Sequence, residues 1–280
     1  MVDQPYELPS ADVEIHRLLG LQTVGFVQIR SKGEITEDPR LLGSGTLVRL
    51  PSGTYGILTA AHVLELVKRN TPVGLHLFLR QDNRHQFKLE FEPGDCVVPP
   101  DRASEDALPD LGFLRIHEPR IYDLQAYGCV FYNLERQRLQ AASEDAKSGR
   151  QQNFVVGVVG QSFTRRQDVS TGQTITGHSL LFGESQNYSI VEKQGFVLSE
   201  QIVTFGPHQP PPFSYGGMSG GGFWMLTWPE GDPPQKISRT LLGTIVQQTR
   251  VTEEGRKIVC HILDDIERCL LPIVEVQTSK

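Results

Sequence analysis

The sequence predicts an all-β protein of two sub-domains with a short C-terminal helix. Short runs rich in Val, Ile, Leu and Phe, bounded by Gly, Pro, Asn or Asp, recur on both sides of a charged, Gln-rich stretch at residues 131–153. Many short strands with turn residues between them are typical of sandwiches and barrels, not of alternating βαβ units. A chain of 280 residues is long enough to bury two such cores without a metal or a disulfide.

The predicted strands form two sets, at residues 24–130 and 154–262, joined by a partly helical linker at residues 131–153. The first set comprises Val24–Arg30, Gly45–Leu50, Gly56–Ala60, Leu75–Arg80, Gln86–Phe91 and Leu111–Ile116. The second set comprises Phe154–Val159, Ser179–Phe182, Tyr188–Val191, Phe196–Phe205, Gly221–Trp228, Thr240–Gln247 and Lys257–Ile262.

Helices are predicted near both ends of the chain. Residues 1–23 form an N-terminal extension that carries apolar positions in its second half. Within residues 263–280, the stretch Asp264–Pro272 places Ile266, Leu270 and Leu271 on one helical face after acidic residues that favour a helix start. We expect this short helix to pack against the second set of strands.

Charge and hydropathy argue against two classes of partner. Lys plus Arg total 27 and Asp plus Glu total 33, giving a net charge of −6, whereas a dedicated nucleic-acid binder usually carries a basic excess. No apolar run reaches the length of about 18 residues that a spanning helix needs, and Met1–Ile15 lacks a signal-peptide core. We expect a cytoplasmic protein that binds neither nucleic acid nor membrane.

The four cysteines are predicted to be reduced and mostly buried. Cys96, Cys129, Cys260 and Cys269 form no CxxC pair, and no histidine lies at a spacing that suits zinc. The closest two, Cys260 and Cys269, could form a disulfide only in an oxidising compartment. We therefore expect no metal site and no cofactor.

Three segments contain residue types that carry nucleophilic catalysis. His62 follows a predicted strand and two alanines that permit a tight turn, and Asp110 precedes an apolar strand. Ser219 lies in a glycine-dense loop, Ser214–Phe223. Each signal is weak alone, because a histidine at a strand end more often packs or faces solvent, and Asp before a strand is common turn chemistry.

Other candidates for these positions have a poorer context. Asp101 and Asp106 lie close to Asp110 in sequence, but neither directly precedes an apolar strand. The remaining seven histidines are interpreted as structural: His16, His76, His85, His117, His178, His208 and His261.

The glycines around Ser219 favour a nucleophile loop over a phosphate-binding loop. No Lys followed by Ser or Thr comes after them, and the following segment has the character of a strand. Glycines two residues before and directly after a serine let the backbone bring two N–H groups close to its hydroxyl oxygen. An acyl-transfer oxyanion needs such donors.

In combination, the order His62, Asp110, Ser219 resembles that of the chymotrypsin-like serine peptidases. The resemblance covers residues 24–262 and rests on the segments GSGTLV, LTAAH, DLGFL, GMSGG and LLGTIVQQ in that order. It implies two antiparallel β-barrels of the chymotrypsin-like fold, the first with His62 and Asp110 and the second with Ser219. The last segment, Leu241–Gln248, resembles the edge strand that pairs with an extended substrate in that family.

The resemblance implies a role for each matching residue. Ser219 would be the nucleophile and His62 the general base, while Asp110 would hold the His62 tautomer and stabilise the imidazolium. The backbone N–H groups of Gly217 and Ser219 would form the oxyanion hole. The primary substrate pocket would lie near Phe213, with Ser214 and Tyr215 beside it.

The substrate preference follows from the uncharged character of these positions. Phe213 offers no acid, so we expect no preference for Lys or Arg at the cleaved position; an uncharged residue fits better. Gln247 and Gln248 could contact substrate through their amides, and they could equally be solvent-facing edge residues.

Two departures set this chain apart from the secreted members of the family. Met218 precedes the nucleophile where those members often have Asp, and no Ile-Val-Gly-Gly precedes the first strand. The cystine that flanks the histidine in the family is also missing. Activation by cleavage and salt-bridge formation is therefore not expected, and the chain is more similar to the intracellular bacterial-type branch.

These features predict a serine endopeptidase that acts on a protein or peptide and is regulated by a partner or a loop rearrangement. The alternative is a catalytically silent module of the same fold that binds extended peptides or partner proteins by strand addition. A complete triad favours the enzyme, because a binding module has no physical need for all three groups.

Overall fold

The computed structural model describes residues 11–29, 40–70, 72–80, 83–100, 108–141, 149–167, 174–204, 216–228, 237–248 and 257–278. These residues form two antiparallel β-sheets and a C-terminal helix, which confirms the all-β fold class. No described helix combines the length and the apolar character needed to cross a membrane.

The N-terminal sheet is a curled half-barrel. Its strands run in the order β5-β4-β1-β2-β3-β7-β6, and β8 pairs in parallel with β2. Because β6 has only two residues, it offers few backbone groups that could close the sheet onto β5. The strands are β1 (Thr23–Gln28), β2 (Leu41–Arg49), β3 (Tyr55–Thr59), β4 (Val73–Arg80), β5 (Asn83–Leu89), β6 (Cys96–Val97), β7 (Gly112–Arg115) and β8 (Tyr132–Asn133).

The C-terminal sheet closes into a six-stranded antiparallel barrel in the order β10-β11-β14-β13-β12-β9. Its strands are β9 (Arg150–Gln167), β10 (Thr174–Lys193), β11 (Phe196–Thr204), β12 (Gly222–Trp228), β13 (Ser238–Gln248) and β14 (Lys257–Ile262). The sequence predicts two short strands where β10 is one long strand. A register shift between Ser185 and Asn187 lets the polar residues of that stretch remain in the strand.

Five helices are described: α1 (Ala11–Gly20), α2 (Ala61–Arg69), α3 (Glu118–Ala126), α4 (Leu134–Ala141) and α5 (263–278). The helix α5 contains one π-helical turn at Ile266–Leu270. The helices α2 and α3 were not predicted from the sequence. Each has only nine residues, of which four in α2 and two in α3 are buried, so the helical pattern in each segment is short. Helix α4 lies in the predicted linker, and residues 142–148 are outside the described part.

The two sheets share a continuous hydrophobic core. Leu198, Val246 and Val259 of the barrel pack with the buried residues of the N-terminal sheet. A second cluster is centred on Trp224, whose ring meets the Tyr132 ring edge-on at 5.0 Å between centroids. Burying these side chains at the junction removes apolar surface from water and so favours one arrangement of the two sheets.

None of the four cysteines forms a disulfide, and Cys96, Cys129 and Cys260 are buried. Burial raises the pKa of the Cys96 thiol to about 11 and that of the Cys129 thiol to about 12. Burial also raises the pKa of Cys260. A thiol held in its neutral form is a poor nucleophile and metal ligand, so these residues act as core side chains.

The C-terminal helix packs as its sequence pattern predicts. Ile266, Leu270, Leu271 and Val274 are all buried, and they join the cluster around Trp224. The stripe therefore attaches α5 to the outside of the barrel.

Replacing Leu270 by Ala tests the contribution of α5 to stability. Leu270 is fully buried, so the substitution should lower the free energy of unfolding by about 2–5 kcal/mol, measured by urea denaturation. Val276 lies on the same helix and is 60% exposed, and V276A should change stability by less than about 0.5 kcal/mol. Equal losses for the two variants would contradict this packing.

Candidate active site

The imidazole of His62 is placed by the first turn of α2. Ala60 is fully buried and extended, with φ −80° and ψ 147°, and the helix begins at the next residue. The two alanines let β3 turn into the helix without side chains that would fill the corner. The His62 side chain is left 35% exposed, which is open enough to meet a substrate.

The carboxylate of Asp110 holds His62 at two points. Asp110 Oδ1 accepts the backbone N–H of His62 at 3.0 Å, and Oδ2 lies 2.6 Å from His62 Nδ1. A carboxylate accepts hydrogen bonds, so a neutral His62 carries its proton on Nδ1 and leaves Nε2 free to take one. This arrangement is the one that a general base needs. The structure brings His62 and Asp110 together, as the sequence predicts; Asp101 and Asp106 lie outside the described residues.

The loop that carries Ser219 needs glycine at two positions. Gly217 has φ +97° and Gly220 has φ +88°, both in the left-handed region that side chains with a Cβ rarely adopt. A Cβ on Gly220 would also overlap the Ser44 carbonyl oxygen, and one on Gly217 would overlap Leu41. These glycines therefore allow both the turn and its close approach to the N-terminal sheet.

The side chain of Met218 fixes the loop from the other side. It is 1% exposed and packs with Val155, Val159 and Ile245 inside the barrel. Burying such a side chain stabilises the folded state by about 1.5–3 kcal/mol. Met218, directly before Ser219, is thus an apolar anchor for the loop.

Ser44, on β2 of the N-terminal sheet, connects this loop to both sheets. Its backbone N–H donates to the Ser219 carbonyl at 2.8 Å, and its hydroxyl donates to the Gly217 carbonyl at 2.5 Å. The same hydroxyl accepts the N–H of Val158 in the barrel at 2.8 Å, while Thr59 Oγ1 donates to the Ser44 carbonyl at 2.6 Å. Because Ser44 is fully buried, these bonds form away from water and orient the loop strongly.

The backbone N–H groups of Gly217 and Ser219 have no acceptor in the described part of the chain. Neighbouring groups of the loop are bonded: Gly220 N–H donates to Ile245 O at 2.7 Å, and Gly221 N–H donates to Met218 O at 2.8 Å. The two donors predicted to form an oxyanion hole are therefore not bonded to another described residue.

The hydroxyl of Ser219 is half-buried and donates to the carbonyl oxygen of Val246 at 3.5 Å. No other hydrogen bond of this hydroxyl is found among the described residues, and a donor–acceptor distance of 3.5 Å makes the bond weak. To transfer its proton to His62, the hydroxyl must turn from Val246 toward Nε2. The structure thus shows His62 and Asp110 in contact and the Ser219 hydroxyl directed toward Val246.

The predicted substrate-binding residues are only partly described. Phe213, Ser214 and Tyr215 lie outside the described residues. Gln247 is exposed at the end of β13, and Gln248 pairs through its backbone with Ile258 of β14. The side of β13 that faces away from β14 carries no described strand partner beyond Thr244.

The interpretation of Leu241–Gln248 as an edge strand is corrected by this pairing. The strand β13 forms part of the barrel wall between β12 and β14. Its residues Ser238–Thr244 pair with Gly222–Thr227 of β12, and its residues Gly243–Gln248 pair with β14. Only the last few residues, next to Ser219, present backbone groups to a possible added strand.

Sequence reasoning missed Ser44 and Thr59 as parts of the site. The signal in the sequence is that Ser44 lies between two glycines, which indicates close packing at the start of β2. The structure shows this packing, because a Cβ on Gly43 would approach Val63 to 2.6 Å. The bonds of Ser44 reach residues 114 and 173 positions away, which no local pattern reveals.

Replacing Gly220 by Ala should disrupt this loop more than the backbone conformation alone predicts. Gly53 has φ +85° with open space around its Cα, so G53A isolates the cost of the left-handed conformation, about 1–2 kcal/mol. G220A adds the overlap with Ser44 and should cost clearly more than G53A in thermal or urea unfolding. Equal costs would show that the loop can move away from β2.

Replacing Ser44 by Ala should destabilise the protein through lost hydrogen bonds. The variant leaves the Gly217 carbonyl and the Val158 N–H without the hydroxyl, at a cost of about 1–3 kcal/mol. S52A is the control, because Ser52 makes one side-chain bond to Thr54 in a surface turn and should change stability far less. A loss in S44A no larger than in S52A would contradict the proposed bridge.

No protein-family model and no curated protein sequence matches this chain. The functional argument therefore rests on the residues of the site and their geometry.

Proposed function

We propose that the protein is a serine endopeptidase that cleaves peptide bonds through an acyl-enzyme on Ser219. The observation that carries the proposal is the pairing of Asp110 with both the backbone and the Nδ1 atom of His62. The Ser219 loop lies near this pair, because a Cβ on Gly43 would meet both Val63, the residue after His62, and the Ser219 carbonyl oxygen. A carboxylate that orients an imidazole is typical of a general base that activates a nucleophile. The nearby Ser219 and the two N–H donors of its loop would be that nucleophile and its oxyanion hole.

In the proposed reaction, Ser219 Oγ attacks the carbonyl carbon of the scissile bond while His62 Nε2 takes the hydroxyl proton. The charge that develops on the carbonyl oxygen is stabilised by the N–H groups of Gly217 and Ser219. One such donor is typically worth about 10²- to 10³-fold in rate. Asp110 stabilises the imidazolium and does not itself take the proton.

The tetrahedral intermediate collapses when its C–N bond breaks and His62 passes its proton to the leaving amine. Water then attacks the ester carbonyl, with His62 accepting one proton of the water. The second tetrahedral intermediate releases the carboxylic acid, and the proton on His62 returns to Ser219 Oγ. Both protons and both leaving groups are accounted for without a cofactor.

The substrate in this proposal is an extended protein or peptide segment that lies along the free end of β13. Backbone groups there could pair with such a segment, and Gln247 is exposed beside it. The uncharged residues Phe213, Ser214 and Tyr215 support an uncharged side chain at the cleaved position.

The resting orientation of Ser219 supports regulation by a partner or a loop rearrangement. Its hydroxyl donates to Val246, so a segment that binds beside β13 could compete for that carbonyl and release the hydroxyl toward His62. The lack of a disulfide among the four cysteines is consistent with the further proposal of a reducing, cytoplasmic location, in which a peptidase needs such restraint.

The same observation supports a second candidate function. A module that binds an extended segment without cleaving it would also leave the serine bonded to Val246. This alternative requires His62 and Asp110 to be dispensable for binding, whereas the peptidase requires them for acylation.

Covalent labelling by a fluorophosphonate distinguishes the two functions. Ser219 Oγ would attack phosphorus, fluoride would leave, and His62 would accept the hydroxyl proton. We expect the wild type to be labelled, S219A to be unlabelled, and H62A and D110N to be slowed by at least about 10³-fold. A variant of an exposed residue outside the site, Q277A, should label as the wild type does. A folded wild type that is not labelled, with or without a peptide library present, would contradict the peptidase and leave the binding module.

A further inference from the structure

A second histidine–aspartate pair lies directly behind Asp110. His261, on β14, is fully buried, and its Nε2 accepts the backbone N–H of Asp110 at 3.2 Å. Its Nδ1 lies 2.9 Å from Asp265 Oδ2, at the start of α5. The pair thus connects the C-terminal helix, through the barrel, to the main chain of Asp110 in the N-terminal sheet.

One ring nitrogen of His261 accepts a hydrogen bond, and the other donates one. Nε2 faces an N–H group and must be unprotonated, so a neutral ring carries its proton on Nδ1 and donates it to Asp265. The edge of the Phe196 ring packs against the imidazole at 5.8 Å between centroids. One tautomer and one orientation satisfy all three contacts.

Asp265 is itself held in the form that accepts these bonds. Burial raises its pKa, but the hydrogen bonds from His261 and Arg268 outweigh burial and lower the pKa below its ordinary value. Arg268 Nη2 donates to Asp265 Oδ1 at 2.8 Å, and the Val197 N–H donates to Oδ2 at 3.1 Å. The carboxylate is therefore held by two further donors, Arg268 and the Val197 N–H, besides His261.

We propose that His261 is a positioning residue that holds the main chain of Asp110, and so its carboxylate, in register with His62. The proposal rests on the proposed peptidase function of that site. Asp110 meets His62 through two bonds from its side chain, and its backbone N–H is bonded from the opposite sheet by His261. Removing the His261 contact frees Asp110, two residues before β7, to shift, and a displacement of about 1 Å in a catalytic group can cost about 10²-fold in rate.

The structure offers a matched pair of substitutions. In His261→Gln, the side-chain carbonyl oxygen can reach the place of Nε2 and accept the Asp110 N–H. In His261→Asn, the shorter amide can replace Nδ1 and donate to Asp265, but it falls short of Asp110. The two variants lose similar ring packing and differ in the contact that the proposal requires.

The first measurement is the rate of fluorophosphonate labelling of the full chain. We expect H261N to slow labelling by about 10- to 100-fold and H261Q to stay within about threefold of the wild type. His76→Asn makes the same change at a second fully buried histidine, on β4, and should reduce stability without slowing labelling of the folded protein. Equal labelling rates for folded H261N and H261Q, or a wild-type rate for H261N, would overturn the proposal.

The second measurement does not depend on activity. The short bond between His62 Nδ1–H and Asp110 should give a low-field proton resonance in the wild type and in H261Q, and it should be weakened or lost in H261N. If the wild type is not labelled, the peptidase proposal fails while this resonance still tests the positioning role. Should H261N not fold, nitrogen–nitrogen coupling across the Asp110–His261 hydrogen bond is measured in the wild type, and its absence overturns the proposal.

Discussion

The site depends on one constraint, the hydrogen bonding of the buried Ser44 between the two sheets. His62 and Asp110 belong to the N-terminal half-barrel, whereas Ser219 belongs to a loop of the C-terminal barrel. Ser44 bonds to the carbonyls of Gly217 and Ser219 and to the N–H of Val158, so the loop cannot move far from β2 without breaking buried bonds. The apolar junction around Leu198, Val246 and Val259 keeps water away from these bonds.

The loop is ordered by burial, not by charge. Met218 packs inside the barrel at the position where an ion pair would require a buried carboxylate and a partner cation, and a buried charge is costly to desolvate. An apolar anchor needs no cleavage event and no titratable group, and it holds the loop in every ionisation state of its surroundings. In the proposed peptidase, control would therefore act on the serine hydroxyl or on substrate binding, because the burial of Met218 already holds the loop.

The sequence predicted those parts of the molecule that local patterns determine. Strand composition and the glycines around Ser219 indicate the class of fold and the residues of the site, because each signal lies within a few neighbouring positions. Ser44 bonds to residues 114 and 173 positions away in the sequence, and His261 bonds to a residue 151 positions away. Nothing in the neighbouring sequence of either residue indicates these contacts. The half-closed first sheet and the unbroken β10 likewise depend on pairing between strands, which composition does not fix.

The site contains two kinds of order. The imidazole of His62 is restrained by Asp110, and Asp110 is restrained in turn by His261 from the opposite sheet, through bonds that are partly buried. Among the described residues, the hydroxyl of Ser219 by contrast makes one long bond, to Val246, which a competing donor can replace at little cost. In the proposed peptidase, this hydroxyl would have to turn from Val246 toward His62, and a ligand that donates to the Val246 carbonyl would favour that rotation.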